Sequence, residues 1–155
     1  MNGTAATAST GGRGAERWTI FILLLLYTLA YLDRQVITLL IDPIRKDLGV
    51  GDVEMGFLQG MGFTLFFALA GPLLGWMADR YRRRMIIWAG VSFWSICTAA
   101  CGLADTYTEL LIARFGVGAG EAALLPAAYS IISDVVEKSR LSRAMAVFSL
   151  GAIVG

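Results

Sequence analysis

Residues 18–41 read WTIFILLLLYTLAYLDRQVITLLI. Apolar and weakly polar residues run unbroken to Asp33, Arg34 and Gln35, and the apolar run then resumes as far as Ile41. A spanning helix takes about 20 residues, so this segment can cross a bilayer with both charges inside it. An ionised side chain at mid-helix costs from about 2.5 to well over 10 kcal/mol in lipid. Two opposite charges kept at such a depth point to helices that enclose a polar interior, and not to a simple membrane anchor.

The rest of the 155-residue chain agrees: 57% of it is hydrophobic and 16% charged, against about 25% charged in a soluble domain. Uncharged or nearly uncharged stretches recur at residues 56–78 (GFLQGMGFTLFFALAGPLLGWMA), 85–104 (MIIWAGVSFWSICTAACGLA) and 110–133 (LLIARFGVGAGEAALLPAAYSIIS). A further apolar stretch, 144–155 (AMAVFSLGAIVG), is too short to span. The runs are continuous, not alternating, which excludes the dyad pattern of a transmembrane barrel. The expected fold is therefore an all-α polytopic membrane bundle. Its helices fall at about 18–41, 54–78, 85–104, 108–133 and 142–155, the last incomplete. No whole domain is expected to end within a span, so the chain reads as the front portion of a longer protein, with a bundle over 17–155. Residues 1–16 (MNGTAATASTGGRGAE) are small, polar and Gly-rich, and read as a disordered cytoplasmic tail. A signal peptide over 1–35 is disfavoured: Asp33-Arg34 stands where a cleavage site of small residues would come after the apolar run.

Net charge is +1 and histidine is absent. The balance excludes a nucleic-acid partner. The missing histidine removes the usual neutral-pH proton carrier and the commonest metal ligand, so proton chemistry falls to carboxylates, and neither metal nor cofactor is implied. Cys97 and Cys101 share a helix face in an apolar stretch and read as packing residues. Basic residues in the connections set orientation. Arg13, Arg17, Arg80, Arg82, Arg83, Arg84, Lys138, Arg140 and Arg143 flank one set of helix ends, and only Arg45 and Lys46 the other. The N-terminus is accordingly expected in the cytoplasm, with the chain in the cell's inner or plasma membrane. Gly56/Gly60, Gly71/Gly75, Gly116/Gly120 and Gly151/Gly155 have the spacing that clears a helix face for a neighbouring backbone. Pro72 and Pro126 are expected to mark bends.

Three charged groupings stand out. Residues 75–84 read GWMADRYRRR. The arginines anchor a cytoplasmic loop, and Asp79, one helical turn past Gly75, is placed to latch neighbouring helix ends through charge-assisted bonds. Residues 114–126 read RFGVGAGEAALLP, with Arg114 and Glu121 on roughly one helix face, about 10 Å apart along the axis. On the first span, Tyr27, Tyr31, Arg34 and Thr38 form a polar stripe, and Asp33 lies about 100° around from Arg34. Depth counting at 1.5 Å per residue lets Asp33 pair with Arg114 and Arg34 reach toward Glu121.

The 75–84 loop resembles the Gly-x-x-x-Asp-Arg-x-x-Arg-Arg signature after the second helix of the major facilitator superfamily, except that Arg82 stands where the family usually has a second glycine. Arg114-x-x-x-Gly118-x-Gly120 resembles the same superfamily's fourth-helix signature. Tyr31-x-Asp33-Arg34 with Gly120-Glu121-Ala-Ala-x-x-Pro126-Ala looks most like its spinster branch. The anion:cation symporter branch also carries an Asp-Arg and a Gly-Glu on these helices.

This resemblance implies a twelve-helix secondary transporter working by alternating access, with the remaining C-terminal half as partner. Gly75, Asp79, Arg80, Arg83 and Arg84 would form its conformational loop. Desolvation favours a neutral carboxyl and a nearby cation an ionised one, so Asp33 is expected to carry the proton, with Arg114 and Glu121 coupled to it. Arg34 and Glu121 would hold a polar or anionic head group. Tyr27, Tyr31 and the phenylalanines of the second span would accept an apolar tail, although such aromatics also serve as ordinary packing. Lysolipids or phosphorylated sphingoid lipids are the implied substrates, and a small organic anion the alternative. A membrane-embedded lipid-modifying enzyme fits poorly, because Asp33 and Glu121 lie on different helices, each near a basic residue.

Overall fold

The computed structural model describes residues 9–155, with side chains from Gly14 onward. Helix α1 runs Ser9–Leu39 and the short α2 Ile41–Leu48. After them come α3 (Asp52–Arg80), α4 (Arg83–Cys101), α5 (Tyr107–Val135) and α6 (Leu141–Val154). Four helices are long and apolar enough to cross a membrane: α3, α4, α5 and Gly14–Leu39 of α1. Among the described residues there is no strand. The expected tail over 1–16 is corrected in part: helix begins at Ser9, while residues 1–8 lie outside the described residues. The apolar run propagates helix backward past Glu16, and that residue is tied down by Arg140 at 3.3 Å.

Helix α1 stops two residues short of the expected end, and the chain turns at Leu40 into the amphipathic α2. Gly49 ends α2 in the left-handed conformation (φ 62°), which glycine adopts at no steric cost. Helix α5 starts on a capping box. The Thr106 hydroxyl accepts from the Glu109 amide at 3.3 Å, and Glu109 accepts from the Thr106 amide at 3.2 Å.

Two helices are interrupted. In α3 a π-helical turn occupies Phe57–Met61, whereas Pro72 lies in continuous helix. In α5 the break falls between Glu121 and Leu124. Pro126 lacks the N–H that would bond the Ala122 carbonyl. Helix α5 is thus interrupted one turn before Pro126, whereas the interruption of α3 comes at the π-turn and not at Pro72.

Close backbone approach holds α4 against α5. A Cβ on Gly120 would meet Trp94 Cβ at 2.8 Å and the Trp94 amide at 2.9 Å. Cys97 Sγ fills the space over Gly116. Gly151 and Gly155 do the same for α6 on α1, where a Cβ would meet the Leu24 carbonyl at 3.2 Å and the Thr28 carbonyl at 2.6 Å. Gly56, Gly60 and Gly71 meet nothing within 4 Å. The packing role expected of four glycine pairs thus holds for Gly116/Gly120 and Gly151/Gly155. At the other two pairs the faces are open, apart from Gly75, whose Cβ would stand 4.0 Å from Pro126 Cβ.

Candidate functional site

The first part of α5 places Arg114 and Glu121 in the centre of the bundle, with side chains 3% and 0% exposed. Helix α1 brings Asp33 and Arg34 against them. Arg34 Nε donates to Glu121 Oε2 at 2.8 Å, and Nη2 approaches the same oxygen at 2.7 Å. Both donors converge on one carboxylate oxygen, so Glu121 Oε1 is buried without a partner. Arg114 Nη1 lies 3.7 Å from Asp33 Oδ2, and Arg114 Nε has no partner. Asp33 is 16% exposed and accepts a hydrogen bond from Thr98 Oγ1 at 3.1 Å. Both pairings counted from sequence depth are present.

Phe63 joins the two pairs. Its ring centroid lies 4.9 Å from the Arg34 guanidinium carbon and 5.5 Å from that of Arg114. Phe67 lies 5.1 Å from Arg34 and stacks on Phe63 with centroids 6.0 Å apart. A guanidinium over an aromatic face is attracted by the ring quadrupole, and more so when water is excluded. Gly118 makes room for this arrangement, because a Cβ there would come within 2.9 Å of the Phe63 carbonyl. The π-turn ends at Met61, just before Phe63. Its one extra residue rotates the remainder of α3 by about 100° relative to an uninterrupted helix.

Tyr27 and Tyr31 face α6. Tyr27 stacks on Phe148 with centroids 4.9 Å apart, and Tyr129 meets Phe148 edge-on at 5.5 Å. Tyr31 Cβ lies 3.0 Å from the Cβ position of Gly155. The stripe running down to Arg34 is therefore an aromatic seam between α1 and α6.

At the arginine-rich end the residues separate into different contacts. The Arg83 guanidinium pairs with Asp134 and donates to the Ser130 carbonyl at 3.4 Å. Arg80 stacks on Trp76 at 4.6 Å. Arg84 lines a groove between α1 and α4 beside Thr19 and Trp88. Asp79 is exposed and makes no ion pair among the described residues. Among the described residues the ion pair that joins neighbouring helix ends here is Arg83 with Asp134, because the first residue of α4 looks across at the end of α5. Sequence reasoning passed over Asp134, Thr98, and the guanidinium contacts of Phe63 and Phe67. Only an acid near a helix end signalled the first, and nothing in spacing signalled the others. Among the described residues no three His, Cys, Asp or Glu side chains converge as a metal site would require.

A family model described as Major Facilitator Superfamily matches residues 23–155. A probable L-galactonate transporter of Escherichia coli (strain K12) is 30% identical over 147 residues, 95% of this chain and 32% of its own length. Protein spinster of Drosophila melanogaster is 30% identical over 143 residues, 92% of this chain and 24% of its own. A bacterial homologue of the human lysosomal transporter spinster has been crystallised inward-facing and unoccupied. It superposes with a TM-score of 0.87 at 40% identity, covering 90% of this chain and 29% of that one. The chain spans about a quarter to a third of the length of these proteins.

Proposed function

Because the chain belongs to the major facilitator superfamily, we propose that it builds the first part of a proton-coupled secondary transporter with alternating access. Its N-terminus is cytoplasmic, as the distribution of Lys and Arg favours, and the remaining helices complete the substrate cavity. The observation that carries this reading is the four-charge cluster, in which Arg114 and Glu121 are buried and Asp33 and Arg34 half-buried. Two acids and two arginines occupy neighbouring levels of the bundle, and each acid faces an arginine from another helix. Charges inside a membrane bundle are kept for ion or substrate pathways.

The two pairs divide the work. Asp33 is partly accessible and loosely held by Arg114 at 3.7 Å, which suits a carboxylate that gains and loses a proton during the cycle. Glu121 is sealed, with one oxygen accepting from two Arg34 nitrogens and the other buried without a partner, so it can accept from a substrate donor once Arg34 moves away. Arg34, 31% exposed, can release Glu121 and take an anionic head group. The proton on Asp33 and the anion on Arg34 then weaken the two pairs together, and the helices rearrange.

An amphipathic substrate such as a lysolipid or phosphorylated sphingoid lipid fits an arginine backed by Phe63 and Phe67, which offer cation and apolar surface side by side. A small organic anion is the second reading, favoured by the similarity to the L-galactonate transporter. Asp33→Asn in the whole carrier, reconstituted in liposomes, should abolish uptake driven by a pH gradient while leaving the protein folded. Full gradient-driven uptake by that variant would sink the assignment. Competition of labelled uptake by a lysolipid against a sugar acid separates the two substrate classes.

A further inference from the structure

A second approach to Asp33 exists on the side of the bundle away from Glu121. A cavity of about 280 Å³ lies beneath α2, walled by α1, α4 and α5. Asp33, Thr98 and Arg114 form its floor, and Cys101 lines its wall. Asp47, exposed on α2, also lines it. Arg34 and Glu121 do not take part. The cavity therefore reaches one ion pair of the cluster and not the other.

Its volume accommodates several water molecules; its walls are largely apolar, and the groups that can hold water are Asp33, Thr98 and Arg114 at one end and Asp47 at the other. Arg114 is buried yet has an unpartnered Nε, the kind of group that an internal water satisfies. Asp33 uses Oδ2 for both Thr98 and Arg114. The charged and titratable groups around Asp33 are Arg34 on its own helix, Arg114 and Glu121 from α5, Cys101 from α4 and Asp47 from α2. Of these, Asp47 is the acid at the exposed end.

We propose that this cavity is a hydrated route from the outer face by which protons reach Asp33 without crossing the substrate cavity, with Asp47 as the proton-collecting acid at its mouth. The proposal rests on the proton-coupled reading above. A proton passes from hydronium in bulk water to Asp47 or directly to water in the cavity, then along that water to an Asp33 carboxylate oxygen. No other bond is made or broken. A carboxylate at the entrance raises the local concentration of cations and hence their rate of arrival. Helix α2 is the roof, and Gly49 ends it in a tight turn.

The test uses the whole carrier in liposomes with Cys101 as its single cysteine. (Trimethylammonium)ethyl methanethiosulfonate, whose permanent charge keeps it from crossing the bilayer, should react with Cys101 from outside and place a charged plug in the route. Uptake driven by a pH gradient should fall by about tenfold or more, as for a pore blocked at a constriction. Exchange of labelled for unlabelled substrate at equal pH, which needs no net proton flow, should stay within about twofold. Asp47→Asn should slow gradient-driven uptake by about two- to fivefold, with recovery when the outer solution is acidified. The route is overturned if Cys101 does not react from outside, if the plug leaves gradient-driven uptake intact, or if exchange falls equally. If the unmodified protein exchanges substrate but ignores a pH gradient, proton coupling itself fails and takes the route with it.

Discussion

Three ion pairs tie α5 to other helices, and two of them, with arginines almost equally exposed, differ in how deeply the acid is buried. Arg34–Glu121 lies in the bundle centre, with the carboxylate 0% exposed. Arg83–Asp134 lies at the arginine-rich end, with the carboxylate 61% exposed. At the first, water cannot replace a partner lost to Glu121. At the second it can, and salt screens the residual attraction. Burial, not the identity of the pair, therefore decides what each is worth. The central pair is a stake in the fold as well as in transport, whereas the rim pair can form and break at little cost. That suits a loop between helices that shift under the alternating-access cycle proposed above.

The comparison breaks most readily at its buried pole. Glu121→Ala should destabilise the protein by about 2–4 kcal/mol, because it removes a fully buried partner and leaves the half-buried Arg34 guanidinium only water on its exposed side. Thermal unfolding in detergent measures this. The double variant Arg34→Met/Glu121→Leu should recover most of that loss, since an apolar pair of similar volume replaces a buried ion pair, yet it should remain without transport. A double variant as unstable as Glu121→Ala would show that the cluster holds the fold by more than charge pairing.

Gly120→Ala comes next, at about 1–3 kcal/mol, since the added Cβ must push Trp94 away. Gly71→Ala is its control: with open space around it, the change should be neutral or gain up to about 1 kcal/mol of helix propensity. Phe63→Leu removes the ring shared by both guanidiniums while keeping apolar bulk. The loss should be about 1–2 kcal/mol, with weaker binding of an anionic substrate by isothermal titration. The smallest effect belongs to the rim. Asp134→Ala should cost about 0–1 kcal/mol in stability and be read instead as a changed turnover rate. A destabilisation as large as that of Glu121→Ala would erase the contrast between the two pairs.

Much of the bundle is legible along the chain. Four apolar runs of spanning length declare four long helices, because lipid forces each backbone to satisfy its own hydrogen bonds. The seven-residue spacing of Arg114 and Glu121 and the adjacency of Asp33 and Arg34 are enough to anticipate both pairings, since depth along parallel cylinders comes directly from residue counting. Boundaries are less legible. Residues 9–16 look like tail by composition but continue α1, because a helix already nucleated extends over poor formers. Asp79 looks like the natural partner of the arginine loop, yet Asp134 takes the position. Which acid reaches an arginine depends on where a distant helix ends.

The number of spanning helices, the membrane setting and the existence of a four-charge cluster within the bundle are thus written in the residue pattern alone. They stem from hydrophobic length and from the cost of a lone charge in lipid, which are properties of single segments. How each helix is rotated about its axis is settled only in the assembled bundle. The π-turn at Phe57–Met61, the break after Glu121 and the glycine contacts with Trp94, Leu24 and Thr28 set those rotations. From them come the ring of Phe63 between two arginines, the free oxygen of Glu121 and the cavity that leads from Asp47 to Asp33. These features require side chains from two or more helices to meet at one point, and spacing along a chain carries no record of azimuth between helices.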